Sequence, residues 1–172
     1  MPLLPIIVAP DKRLLRTALP VNSVDSEVRN LMDNMLETMY DAPGIGLAAP
    51  QVGILKRVLV IDVSINEHRK PGTPLLIANP TISWASKEQK TTEEGCLSLP
   101  GQYAEVERPT EIRVKYINEH NKAQELEADG LVAACLQHEI DHLDGRLFIN
   151  HLSRLKRNMI LRRLAKDKRS AK

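Results

Sequence analysis

Near the end of the chain stands Gln137-His138-Glu139-Ile140-Asp141-His142. It contains His-Glu-x-x-His. Two imidazoles four residues apart fall on one face of a helix, so both reach a single metal ion while the intervening Glu139 contacts water beside it. A site of this kind needs a third ligand. The long protease version of the motif would place a further His after Gly145, but that position is Phe148, so the ligand has to come from elsewhere. Cys96, in Glu93-Glu94-Gly95-Cys96-Leu97-Ser98, is the best candidate, because beside Gly95 its sulfur can reach a metal while the next backbone N–H, that of Leu97, points into the same site. One Cys and two His leave a fourth position open to water, and this separates a catalytic site from a structural one.

That chemistry needs a helix under the histidines. Asp129 is placed to cap it and Gly145 to stop it, and at about 100° per residue Leu131, Cys135, His138 and His142 fall on one inward stripe. Another helix is expected over 25–40, where Val28, Leu31, Met32, Met35, Leu36 and Met39 recur at helical spacing and the methionines read as core filler. Strand patterns occupy 57–63, 73–79, 81–85 (set off by Pro80), 111–117 and 123–128. His68 in the polar turn 66–72 and His120 at the tip of the turn 118–122 read as solvated. A basic helix is expected over 153–167. The fold class is therefore α+β, with short antiparallel strands packed around a central metal-binding helix, an N-terminal outer helix and a C-terminal helix.

Composition narrows the function. A chain of 172 residues fits one domain, and five Phe, Trp and Tyr in all argue against aromatic base-stacking as its main business. Two cysteines make no disulfide framework, and a thiolate ligand needs a reducing compartment, which points to the cytoplasm. The apolar start, Met1 to Pro10, has no basic residue and is broken by Pro2, Pro5 and Pro10, so it is read neither as a signal peptide nor as a membrane span, and no membrane partner is expected. Residues 151–172 hold nine Lys/Arg and one acid, net +8, whereas residues 1–150 hold 15 and 21, net −6. We expect a catalytic domain over 1–150 and a basic helical tail over 151–172. On residues alone, several readings stay open: a metallopeptidase or other amidase, a thiol enzyme centred on Cys96, and a nonenzymatic RNA-binding module.

One more stretch joins the other two. Gly44-Ile-Gly-Leu-Ala-Ala-Pro-Gln51 fails as a phosphate loop, since it has no Lys-Ser/Thr, but its glycines allow close backbone approach. Together with Glu94-Gly-Cys-Leu-Ser98 and Gln137-His-Glu-Ile-Asp-His142 it resembles the three signature motifs of the peptide deformylases, in the family's order and at similar separations. The resemblance implies a metal-dependent hydrolase that removes the formyl group from the N-terminal formylmethionine of new proteins. It assigns Cys96, His138 and His142 to the metal, Glu139 to acid/base work, and Gln51 with the Leu97 N–H to the carbonyl oxygen. It implies Fe²⁺, while the ligand set also suits Zn²⁺. Gly46, Ile45, Leu131, Ala134 and Cys135 are the expected substrate contacts, the last four lining a slot for the methionine side chain. Formylmethionyl peptides and nascent chains are the expected partners, and the basic tail suggests a ribosome contact of the kind similar deformylases are thought to make. Where some members carry a peptide-holding Arg after the Cys motif, this chain has Tyr103, and Arg108 is placed to brace Glu94.

Overall fold

In the computed structural model, which describes residues 2–64 and 72–170, α1 (Ser26–Asp41) opens the regular structure. Its N-cap Asp25 accepts a hydrogen bond from the Val28 N–H, which satisfies one of the donors a helix start leaves unpaired. The strands follow as β1 (Gly46–Ala48), β2 (Val58–Ile61), β3 (Leu75–Ala85), β4 (Gln89–Cys96), β5 (Leu99–Pro109), β6 (Glu111–Ile117) and β7 (Ala123–Asp129). Then come α2 (Gly130–Leu143) and α3 (Arg154–Ser170). Five strands form one antiparallel sheet in the order β1-β2-β3-β6-β7, and β4 and β5 make a separate hairpin.

The sheet is covered on both faces, and β2 shows why. Its four residues, Val-Leu-Val-Ile, are all buried. Side chains alternate along a strand, so Val58 and Val60 pack with Met32, Met35 and Met39 of α1, while Leu59 and Ile61 pack with Leu136, Ile140 and Leu143 of α2. The methionine stripe is thus core, each fully buried side chain contributing ~1.5–3 kcal/mol. A third cluster joins Leu99 and Val106 of β5 to Leu147, Phe148 and Ile149, and to Ile160 and Leu164 of α3. The basic residues of α3 lie mainly on its other faces, with Leu155 and Met159 also exposed.

Three expectations change. The runs 73–79 and 81–85 are one strand, because Pro80 sits at an irregularity in the β3–β6 register and Asn79 takes a positive φ of 49° beside it, so the missing N–H breaks no regular ladder. The long hairpin β4–β5 was not expected. Its first arm, Gln-Lys-Thr-Thr-Glu-Glu-Gly-Cys, has few apolar residues to alternate, and its second holds Pro100 and Gly101. Leu131, expected on an inward stripe, is 56 % exposed, because the first turn of α2 stands at the lip of a cleft. The turn 66–72 with His68 lies outside the described residues, apart from Gly72.

Candidate metal centre and cleft

α2 is fixed at its C-terminal end. Arg57 donates to the Leu143 carbonyl at 3.1 Å and pairs with Asp144 at 3.0 Å, and the Ala18 N–H also reaches the Leu143 carbonyl, at 2.8 Å. Gly145 follows with φ 75°, and a Cβ there would lie 2.6 Å from the Leu15 carbonyl oxygen, so both the left-handed backbone and the space require glycine. At its other end Asp129 stands in the N-cap position, although its side chain makes no capping hydrogen bond.

The helix thus held carries His138 and His142 toward β4. Cys96 ends that strand, where the register shifts between Gly95 and Cys96, a disruption that re-aims the side chain. Its sulfur lies 3.3 Å from His142 Nε2, and one ligand atom from each of Cys96, His138 and His142 lies within 4.8 Å of the others. A thiolate with two imidazoles suits a divalent transition ion such as zinc or iron. The three residues meet from two elements 42 positions apart in sequence, and no other such cluster of His, Cys, Asp or Glu occurs among the described residues.

A buried ion-pair chain orients the first histidine. Its Nδ1–H donates to Glu94 Oε1 at 2.9 Å, which leaves Nε2 for the cluster. Arg108 grips the same carboxylate through Nε at 2.6 Å and Nη2 at 3.0 Å, and its Nη1 reaches Asp141 at 2.9 Å. His151 Nε2 in turn lies 2.8 Å from Asp141. The bracing of Glu94 by Arg108 agrees with the sequence reading, whereas the continuation to Asp141 and His151 was missed. A hint lay in Asp141 standing one residue before His142.

These charges set the titration of the site. Burial acting alone would raise Glu94, but the hydrogen bonds from His138 and Arg108 outweigh it and hold the carboxyl near 2. Burial would lower His138, and the neighbouring Cys96 and Glu94 instead push it up. His142 is pushed down by burial and by the charge of His138. Glu139 goes the other way, because burial, only partly opposed by the charge on His138, lifts it to about 7. That carboxyl is 4 % exposed, and its Oε2 has no hydrogen-bond partner among the described residues. A buried acid without a partner, beside a three-ligand cluster, is poised to exchange a proton.

Gln51 faces the cluster from the 3-10 turn Ala49–Val52. The Ala48 N–H donates to its Oε1 at 2.9 Å, which orients the amide so that Nε2 points toward Ser98 Oγ, at 3.2 Å, and Cys96 Sγ, at 3.6 Å. Gly46 lies so close to Glu139 that a Cβ there would come within 2.7 Å of Oε1 and 2.9 Å of the Cys135 sulfur. Gly46, Gln51, Cys96, Leu97, His138 and Glu139 line one cleft of about 1120 Å³. The four expected slot residues, Ile45, Leu131, Ala134 and Cys135, line it as well. His142 sits behind them, 1 % exposed. Tyr103, 65 % exposed, also lines the cleft and packs over Gly95.

Comparison with known proteins agrees with this geometry. The sequence pattern of the family described as polypeptide deformylase matches residues 3–158. A peptide deformylase of Methylocella silvestris is 58 % identical over 167 residues, covering 96 % of this chain and 85 % of its own. One from Agrobacterium fabrum is 52 % identical over 170 residues, covering 99 % of both. The crystal structure of peptide deformylase from Ehrlichia chaffeensis superposes with a TM-score of 0.93 at 40 % identity, covering 99 % of each chain. The chain belongs to the polypeptide deformylase family, metal-dependent hydrolases that remove the N-formyl group from the N-terminal formylmethionine of newly made proteins.

Proposed function

We propose that in this chain Cys96, His138 and His142 hold the ion, Glu139 moves the proton, and Gln51 with the Leu97 N–H receives the carbonyl oxygen. The observation that carries this reading is the buried, partnerless Glu139 Oε2 lining the same cleft as Cys96 and His138. A bound divalent ion supplies Lewis acidity and brings the pKa of water toward ~7. Glu139 takes a proton from the attacking water and later gives it to the leaving amine. The Gln51 amide and the Leu97 N–H donate to the oxygen as charge develops on it, a donor of this kind being worth roughly 2.7–4 kcal/mol. The C–N bond to the methionine nitrogen breaks, releasing formate and a free N-terminus. Formate release from a formyl-Met peptide, abolished by chelator and restored by metal, is the expected result. An equal rate on an unformylated peptide would favour a general peptidase, and activity that resists chelator but is lost on alkylation would favour a thiol enzyme.

Fe²⁺ is the proposed ion, with Zn²⁺ the alternative that the same donors accept. Metal analysis of protein purified without oxygen distinguishes them. Ile45, Leu131, Ala134 and Cys135 form the methionine slot, with Gly46 allowing the peptide backbone to approach. The catalytic domain spans 1–150 and acts in the cytoplasm. Among the described residues no helix is long and apolar enough to cross a membrane. Residues 151–172 present the basic face of α3 to ribosomal RNA. Truncation after Ser153 would also remove the buried Ile160 and Leu164, so charge reversal at Arg162, Arg163 and Lys166 is the cleaner test. The reversed protein should lose salt-sensitive ribosome binding and keep its turnover of small peptides. Unchanged ribosome affinity would remove the docking role.

A further inference from the structure

Behind the metal cluster, on the side away from the cleft, lies the 3-10 turn Phe148–His151. It is a fixed piece of chain. Asn150 Oδ1 accepts from the Leu147 N–H at 2.7 Å, and the buried Phe148 and Ile149 pack with Leu99 and Val106 of β5 and with Ile160 and Leu164 of α3. The same apolar cluster backs Cys96. Phe148 also stacks on His138, with ring centroids 6.2 Å apart and planes inclined by 25°. At the end of this turn stands His151, whose Nε2 lies 2.8 Å from Asp141 Oδ2. A carboxylate only accepts, so the imidazole is the donor.

An exposed pair of this kind contributes little by itself. Here, however, the acceptor is already committed. The same Asp141 oxygen accepts from Arg108 Nη1 at 2.9 Å, while Nε and Nη2 of that guanidinium are both spent on Glu94. The guanidinium is a rigid planar fork, so its three hydrogen bonds are set together, and a shift of Asp141 is felt at Glu94. Glu94 in turn accepts from His138 Nδ1–H, the bond that leaves Nε2 free for an ion. Arg108 and Glu94 are buried, where polar groups are coupled more strongly than in water. His151, its side chain 32 % exposed, is the outermost member of this row.

We infer that His151 is a positioning residue for the metal centre: by holding Asp141 it keeps Arg108 and Glu94 in place, and so fixes His138 for the ion. This rests on the proposed function, since it takes Cys96, His138 and His142 as the ligands. Without His151, Asp141 keeps only Arg108, and the fork is free to follow that carboxylate away from Glu94. Partners in the outer shell of a metal site change affinity by ~10–100-fold, and His151, several bonds removed, belongs at the lower end of that range.

The test uses Co²⁺ as the probe, which binds such donors more weakly than Zn²⁺ and so competes measurably with a chelator. Protein loaded with Co²⁺ is titrated with the chelator, and retained metal is followed by its absorption. In His151→Ala the Co²⁺ affinity should fall by about tenfold. In His151→Gln, whose amide can donate to Asp141, it should return to within about twofold of the unaltered protein. Asp25→Ala removes the cap of α1, on the opposite face of the sheet, and serves as the control for a general loss of stability. It should lower the melting temperature and leave Co²⁺ affinity unchanged. Unchanged affinity in His151→Ala, no recovery in His151→Gln, or an equal loss in Asp25→Ala overturns the inference. Failure of the unaltered protein to bind one equivalent of Co²⁺ would overturn the proposed ligand set, and this inference with it.

Discussion

The inner and outer halves of one cleft are built on opposite principles. Inside, Gln51, Glu94, His138, Glu139 and His142 are buried, and most of their polar atoms are fixed by a neighbour. Outside, Glu88, Lys90, Tyr103, Glu111 and Leu131 are exposed, and the charges among them form no ion pair with the described residues. Buried polar groups are costly to leave without partners, so the inner half tolerates one arrangement, whereas solvent supports many arrangements of the outer half. The proposed reaction accordingly belongs to the inner half.

Substitutions should therefore do most harm deepest in the cleft. Glu139→Gln removes the proposed proton carrier and should lower kcat/KM for formate release by ~10²–10⁴-fold, with metal content unchanged by elemental analysis. Retained turnover would move the acid/base role to another group. Arg108→Met leaves the Glu94 carboxylate buried with only His138 as partner, and should cost ~3–5 kcal/mol in thermal or denaturant unfolding. A loss under 1 kcal/mol, the usual worth of an exposed pair, would show that water reaches the site freely.

The same chain of charges gives a pH dependence. Glu94 is held near 2, below its ordinary 4.5, so its ionised form stabilises the fold above about pH 4.5, and that contribution disappears as pH falls toward 2. The shift corresponds to roughly 3 kcal/mol, so the wild-type protein should melt well above Glu94→Gln at pH 7, with the gap narrowing as the solution is acidified through that range. A gap that stays constant with pH would mean that the charge itself contributes little. Nearer the lip, Ala134→Phe should narrow the proposed methionine slot and cut the preference for Met over Ala substrates by ~10-fold or more, one methylene in a fitted pocket being worth ~1–3 kcal/mol. An unchanged preference would place the slot elsewhere.

The contrast between the halves also explains what could be read in advance. The inner residues announce themselves because metal chemistry restricts both type and spacing, so His-Glu-x-x-His implied its helix, and the search for a third ligand led to Cys96. The sheet was legible where burial imposes a pattern, as in the uninterrupted apolar run of β2 and the alternation of β6. The β4–β5 hairpin was not, since β4 is largely solvated, and the inward row of β5 holds Gln102 and Arg108 beside Ala104 and Val106 and so shows no apolar alternation. Nor was the acidic mouth, which gathers Glu88 just before β4, Glu93 within it, Glu111 at the start of β6 and Asp129 at the end of β7.

The sequence by itself determined the chemistry available to this protein. Ligand type, the four-residue spacing of two imidazoles and the glycines of the Gly44–Gln51 stretch are local properties, set by covalent structure and helix geometry. Only the tertiary structure decided that Cys96 meets those imidazoles, that Arg108 ties Glu94 to Asp141, and that Glu139 is dry enough to hold its proton near pH 7. Those outcomes depend on which surfaces exclude water from one another, and distant segments settle that only when they pack together.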